Sequence, residues 1–322
     1  MIKLFLFTLS CTIVQFTHGQ SFAPPAGQVG STAIHKDSSI IINWATSCTV
    51  TRGFMDLSDT ILGYADYGTD TNAIGYATGS DVVSLGDGGE ALLSFDRPIT
   101  NVPGPDFVVF ENSFSETFLE LAFVEVSSDG VNFFRFPAVS ETQTAIQIGG
   151  FGSLDARYLY NFAGKYIANY GTPFELDGVS GFVNLDVNAI THVKIIDVVG
   201  SVNSQYGTTD SQGNYVNDPF PTPFSSSGFD LDAVGVLHEL PLTINEMAIN
   251  DYIVFPNPTN SIVNISTQNY GSYTLKDTQG RIVSQSQFSG SFKINLTDEK
   301  KGVYFLTFIV EGALVVQRII KI

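Results

Sequence analysis

Apolar residues along most of this chain come in short runs, many alternating with polar residues and broken by Gly, Asn, Asp and Pro. A period of two puts one face of an extended segment into a core. The pattern therefore predicts strands at 38–44, 81–85, 91–95, 106–110, 192–199 and 233–238. The clearest signal is LELAFVEVSSDGVNFFRFP, residues 119–137. Two apolar-rich runs there flank Ser127, Ser128, Asp129 and Gly130, and Gly130 supplies the positive φ that a hairpin turn requires. No stretch keeps a 3.6-residue apolar period for three turns, so helices are expected to be minor. Many strands, long loops and no strand–helix–strand alternation predict an all-β sandwich.

The pattern changes at both ends. The first residues, MIKLFLFTLSCTIVQFTHGQ, set Lys3 ahead of an apolar run from Leu4 to Val14, too short to span a bilayer, followed by small and polar residues up to Gly19. This predicts a signal peptide over 1–19 with cleavage before Gln20. The rival reading, Cys11 as a lipoprotein cysteine, would put the cut inside the apolar run. Around 241–250 (PLTINEMAIN) the alternation loosens before a sharp restart at Tyr252, which predicts a linker between a body at 20–240 and a small domain at 251–322. No later run is apolar enough to cross a membrane as a helix.

Composition agrees with a β protein: 30 Gly, 26 Phe and 13 Tyr leave little material for solvent-facing helices at only 15% charged residues. With the leader removed only Cys48 remains, so no internal disulfide is expected, and its strand-like context (IINWATSCTV) reads as buried filler. The net charge of −17 is uneven. Residues 251–322 carry seven Lys and Arg against five Asp and Glu, whereas 20–250 carry seven against 27. So acidic a body repels nucleic acid and anionic lipid and favours cations.

The tail holds VFPNPTNSIVNIS, YTLKDTQGRIV and GVYFLTFIVEGALVVQRIIKI in that order. Pro256 and Pro258, on either side of Asn257, remove backbone donors and suit a strand beginning at a domain edge. Asp277, Gly280 and Arg281 suit a hairpin turn, and Gly302 opens a run in which Tyr304, Leu306 and Phe308 alternate as a half-buried strand does. On its own this pattern predicts a small immunoglobulin-like β-sandwich. Over about 70 residues it also resembles the type A C-terminal sorting domain of the Bacteroidetes type IX secretion system. That resemblance implies an address read by the outer-membrane translocon and a destination on the cell surface or outside the cell.

In the body, VVSLGDGGEALLSFDRPI, PGPDFVVFENSF, HVKIIDVVGSV and SSGFDLDAVGVLHE, with the 119–137 hairpin, resemble an uncharacterised family of secreted bacterial cell-surface proteins. The hairpin itself is similar to one in galactose-binding-like jelly rolls of the discoidin type, which implies a jelly-roll-like sandwich with ligand-bearing loops. Relatives that accompany nutrient uptake imply a glycan or cobalamin as ligand by association alone.

Calcium is the first candidate cofactor, because hard cations take six to eight oxygens from carboxylates, amides and carbonyls around a tight turn. Asp210, Asn214 and Asp218 in DSQGNYVND alternate oxygen donors around Gly213, without the spacing of an EF-hand. Asp230 and Asp232 in GFDLDAV, two apart on a predicted strand, should share a face. Ordinary turn-capping and solvated loop acids explain the same residues. For a ligand site, Tyr158, Tyr160, Asn161, Lys165 and Tyr166 crowd one segment, with the aromatics suited to stacking and the polar pair to orienting; core packing is the competing role. Catalysis finds no anchor. His35, His192 and His238 sit in no HExxH or GxSxG context, and carboxylates for glycoside hydrolysis (Glu111, Glu116, Glu120, Glu125) are too many to select a pair, although Glu120 and Glu125 fall on opposite faces. The expected role is a non-catalytic binding or adhesive protein, with nutrient capture and hydrolysis as alternatives.

Overall fold

The computed structural model describes residues 22–240, 252–268, 270–310 and 313–322. The predicted leader (1–19) and linker (241–250) lie outside the described residues. The chain divides into two compact units, one ending at Pro241 and the other starting at Leu242. It is all-β, with no α-helix among the described residues.

Thirteen strands make up the first unit among the described residues. They are β1 (Ile34–His35), β2 (Asn43–Trp44), β3 (Ser47–Thr51), β4 (Val83–Ser84), β5 (Glu90–Ile99), β6 (Phe107–Glu111) and β7 (Ala122–Ser127). After these come β8 (Phe134–Arg135), β9 (Val139–Ser140), β10 (Leu159–Tyr160), β11 (Tyr170–Phe174), β12 (Ile190–Asp197) and β13 (Asp230–Val236). One antiparallel sheet runs β1-β11-β6-β13-β2 with β4 added to β13, and a second runs β3-β5-β12-β7-β8. Between them lies a single core to which both contribute: Phe107, Val109, Val234 and Val236 from the first, Leu93, Val124, Val193 and Ile195 from the second. The first sheet is also covered on its other face, where Val108, Phe110 and Ala233 pack with Trp44 and Ile41. Burial on both faces explains why β6 reads FVVFE, apolar without alternation.

Every strand predicted in the body has a counterpart, though 38–44 and 81–85 shrink to two residues each. The 119–137 hairpin forms as expected. Gly130 adopts φ 73°, and the Asp129 carboxylate accepts from the Val131 and Asn132 amides, both at 2.8 Å. Strand β11 escaped the pattern because YGTPF carries both Gly and Pro. Pro173 is tolerated beside the two-residue edge strand β1, which pairs only with Tyr170 and Gly171. A Cβ at Gly171 would stand 2.4 Å from Val108 Cγ2, so glycine is what lets β11 lie against β6.

The second unit is a small sandwich. Its strands are β14 (Tyr252–Phe255), β15 (Ile262–Thr267), β16 (Tyr270–Asp277), β17 (Ile282–Ser289), β18 (Phe292–Asn295), β19 (Gly302–Val310) and β20 (Ala313–Lys321). They form sheets β14-β15-β18 and β17-β16-β19-β20 around a core that includes Tyr304, Leu306, Phe308 and Ile319. Asp277 accepts from the Gln279 and Arg281 amides and pairs with the Arg281 guanidinium at 2.7 Å, closing the expected turn. Pro256 and Pro258 do not open the first strand; they follow β14 and break it from β15. Between them Asn257 clamps the last strand, donating to Arg318 O at 2.6 Å and accepting from the Ile320 amide at 2.9 Å.

Gly164 ties the loop after β10 to the start of β7. It holds φ +78°, and a Cβ there would lie 1.8 Å from the Glu120 carbonyl, while Ala122 and Ala163 exchange backbone hydrogen bonds of 3.2 and 2.9 Å beside it. Gly164→Ala is expected to destabilise the body by about 2–4 kcal/mol, from the left-handed backbone and the clash together, measured by urea unfolding. A change under about 0.5 kcal/mol would show that this contact yields freely.

Candidate functional site

The alternation that fills the core does not stop at its edge. In β6, Phe107 and Val109 face the other sheet, and the next residue of that phase is Glu111; in β12, Val193 and Ile195 are followed by Asp197. Facing strands from both sheets thus end in carboxylates at the end of the inter-sheet space. Glu120, two residues before β7, and Asp230, the first residue of β13, join them, together with Asp218 from the loop before β13. All five are at least nine-tenths buried, with Glu111 and Asp197 each only 2% exposed.

Two of these acids are anchored by backbone donors and a third by a side-chain hydroxyl. Asp197 accepts from the Gly88 amide at 2.9 Å and the Phe229 amide at 2.7 Å, Asp218 from the Leu121 amide at 2.7 Å, and Asp230 from the Ser84 hydroxyl. The two glutamates are poorly served. Glu111 Oε2 accepts from the Ser113 amide at 2.9 Å and the Asn112 amide also favours its charged form, but its Oε1 is buried with no hydrogen-bond partner. No donor to the Glu120 carboxylate appears among the described hydrogen bonds. None of the five forms an ion pair among the described residues. Arg52, whose charge reaches Asp230, directs its guanidinium to the carbonyls of Tyr67, Gly68 and Ser84.

Burial without compensation raises the proton affinity of the cluster. Desolvation first, then the neighbouring charge of Asp230, holds Glu111 and Glu120 well above the ordinary carboxylate range. Desolvation likewise raises Asp197 and Asp218 and pushes Asp87 and Asp230 up to about 7.

The structure separates the residues singled out for calcium. Asp218 and Asp230 belong to the buried cluster. Asp210 caps its own turn, accepting from the Gln212 and Asn214 amides at 2.9 Å and from the Ser140 amide at 3.1 Å, and Asn214 is exposed. Asp232 stands at a register shift in β13 and accepts from the Thr78 and Gly79 amides, both at 2.9 Å. Glu111 and Glu120 were visible as acids, but only the strand phase, followed to its last residue, distinguishes them from the others. Glu125 does point the other way, paired with Arg135 at 2.9 Å.

A second feature lies at the segment rich in tyrosine. Tyr160, Asn161 and Lys165 line a cleft of about 650 Å³ with Phe22, Thr172 and Glu175. Phe22 and Tyr160 stack at 5.2 Å between ring centroids, and Tyr160 is 45% exposed. Lys165 donates to the Leu159 carbonyl at 2.7 Å, and burial lowers its pKa to about 8. The Thr172 hydroxyl is buried without a partner. Tyr166 packs in the interior and its hydroxyl meets that of Thr32 at 2.8 Å, while Tyr158 is half exposed and does not line the cleft. The remaining nucleophile, Cys48, is buried, and desolvation pushes its thiol up to about 12, well outside the thiolate range.

Compared with known proteins, residues 253–322 match the family described as the secretion system C-terminal sorting domain. This tail therefore directs export by the type IX secretion system to the cell surface or extracellular space, and its partner is that secretion machinery. No curated protein matches the chain. Among solved structures, a biofilm-associated protein BSP domain is similar at 10% identity, over 88% of this chain and 53% of that one, with a TM-score of 0.19. Ruminococcus gnavus β-glucuronidase is similar at 9% identity over 80% and 38%, with a TM-score of 0.20. Lactobacillus rhamnosus β-glucuronidase follows at 13% over 85% and 45%, with a TM-score of 0.19. The chain spans about half or less of the length of these proteins, and likeness at this level extends no activity to it.

The buried acids set a pH dependence. Each holds its proton more tightly folded than unfolded, so its stabilising contribution is complete below about pH 4 and is lost as pH rises through its folded pKa, which for Asp87 and Asp230 is about 7. In chelator, the melting temperature of the body is expected to fall by more than about 5 °C between pH 5 and pH 8, followed by calorimetry. A rise across that window would contradict the burial of these groups.

Proposed function

We propose that this chain, exported by its type IX sorting domain, is a non-catalytic capture protein that holds a glycan in the cleft between Phe22, Tyr160 and Lys165. The carrying observation is the unpartnered Thr172 hydroxyl lining that cleft beside the Lys165 ammonium, with the exposed Tyr160 ring stacked on Phe22. Sugar rings present an apolar C–H face and a rim of hydroxyls. A flat aromatic wall with a few convergent polar groups suits both. The partly filled left-handed region of Asn161, φ 53°, places its side chain on the Pro137 carbonyl at 3.0 Å and fixes the loop that carries Tyr160 and Lys165.

Chemistry is disfavoured by burial. Glu111 and Glu120, the acids that the fold brings together, are 2% and 7% exposed, out of reach of a polymer. The Cys48 thiol is protonated at physiological pH. Capture without turnover fits these side chains better than hydrolysis.

Titration calorimetry of the full chain against mono- and oligosaccharides, with cobalamin as a comparison, is expected to find one saturable glycan ligand that is recovered unchanged. Tyr160→Ala should weaken binding about tenfold with little effect on melting, since stacking of this kind contributes about 1–1.5 kcal/mol and the ring is half exposed. Absence of any saturable glycan, or a Tyr160→Ala variant that binds as tightly as the parent, would overturn the proposal.

A further inference from the structure

We propose that the captured glycan is acidic, a sugar whose carboxylate is held in the cleft by the Lys165 ammonium and the Thr172 hydroxyl. This deepens the capture reading and rests on it, adding the charge of the ligand. The two side chains come to the cleft from different elements. Lys165 follows Gly164, whose φ of +78° and close approach to the Glu120 carbonyl fix the turn that carries it. Thr172 stands on β11 one residue past Gly171, the last to pair with β1, and shares its strand phase with the core residue Phe174. Both line the cleft, and each is only 5% exposed.

Neither has the partners that its burial calls for. An ammonium carries three N–H donors, and that of Lys165 meets one acceptor among the described residues, the Leu159 carbonyl at 2.7 Å, with the Tyr166 ring centroid 5.6 Å away. It forms no ion pair among those residues. A shortage of carboxylates does not explain this, because residues 20–250 carry 27 Asp and Glu against seven Lys and Arg. Asp155, whose charge acts on Lys165, is paired with Arg157 at 3.1 Å. Glu175, in the lining of the same cleft, accepts from the Gly104 amide at 3.1 Å and makes no ion pair with Lys165. The Thr172 hydroxyl, shut off from water, neither donates nor accepts. A buried ammonium short of acceptors and a buried hydroxyl with no partner are both costly, and one carboxylate satisfies the two together.

The rest of the lining sets the class of anion. Tyr160, stacked on Phe22 at 5.2 Å, gives an apolar wall for a sugar ring, and a ring that carries a carboxylate presents it at the rim, among its hydroxyls. One ammonium and one hydroxyl match one singly charged group. A phosphate monoester brings about two charges and would meet Glu175 with no second cation to offset it, since Lys165 is the one Lys or Arg among the described lining residues. The excess acid of the body acts against any anion from farther off, but at about 0.15 M salt such charges are screened beyond about 8 Å.

The test is calorimetric titration of the full chain, at about 0.15 M salt, with short oligomers of galacturonic, glucuronic and mannuronic acid. Each is run beside its methyl ester, which keeps the ring and removes the charge, and beside neutral oligosaccharides. At least one acid is expected to bind about tenfold or more tighter than its ester, the size of a charge-assisted hydrogen bond. Lys165→Met should erase that preference while the ester binds as it does to the parent, and Thr172→Val should weaken binding of the acid about fivefold. Between pH 7 and pH 9 the affinity of the parent for the acid should fall about tenfold, as the ammonium, at about 8, gives up its proton. A Lys165 that only braces the Leu159 carbonyl predicts instead that Lys165→Met weakens acid and ester alike. Should that variant fail to fold, the pH profile of the parent decides. An acid that binds no tighter than its ester, a preference that survives Lys165→Met, or an affinity unchanged up to pH 9 would overturn the inference and leave glycan capture standing. Binding of none of the acids, esters or neutral sugars would overturn both.

Discussion

The mutual repulsion of carboxylates buried between two sheets is the constraint around which the body is arranged. At an effective dielectric of about 20, two unit charges about 4 Å apart repel by about 4 kcal/mol. The body meets this by keeping protons on the acids and by aiming backbone amides at them. Those amides belong to otherwise irregular chain: Leu57 on Asp87, Gly88 and Phe229 on Asp197, Leu121 on Asp218, Thr78 and Gly79 on Asp232. The long connections 52–82 and 198–229, nearly devoid of strand, are thereby fastened to the sandwich end. Each anchored carboxylate satisfies backbone donors that a sheet would otherwise have to pair.

The same end of the body supports the cleft. Gly164 packs against the Glu120 carbonyl, Ala163 bridges to Ala122, and the next residue, Lys165, lines the cleft. One loop therefore presents Tyr160, Asn161 and Lys165 on one side and braces Glu120 on the other. Anything that displaces Glu120 therefore acts on the loop that shapes the cleft. The buried acids and the cleft both lie in the unit that ends at Pro241, whereas the sorting domain has its own core and fastens its last strand through Asn257.

Much of this was legible in the sequence because period-two alternation and turn chemistry are local. The 119–137 hairpin, the Asp277–Arg281 turn and most body strands follow from them. Strand β11 was hidden because its Gly and Pro are read locally as breakers, while their placement against Val108 and the edge strand is a tertiary fact. Tyr160, Asn161 and Lys165 were found from crowding alone, and Tyr166 was the core residue that crowding cannot tell apart. DSQGNYVND looked like a cation loop because an Asx-type turn and a calcium loop use the same residues; the Asp210 carboxylate is consumed by its own turn. Glu111 and Glu120 were lost among the 27 acids of residues 20–250, since what sets them apart is which face of which sheet each ends on.

The most direct measurement is a carboxyl-carbon NMR titration of the full chain with Glu111 and Glu120 assigned by their Gln variants. The account predicts that both carboxyls keep their protons to distinctly higher pH than exposed glutamates of the same chain. Titration of either alongside the exposed glutamates would contradict it.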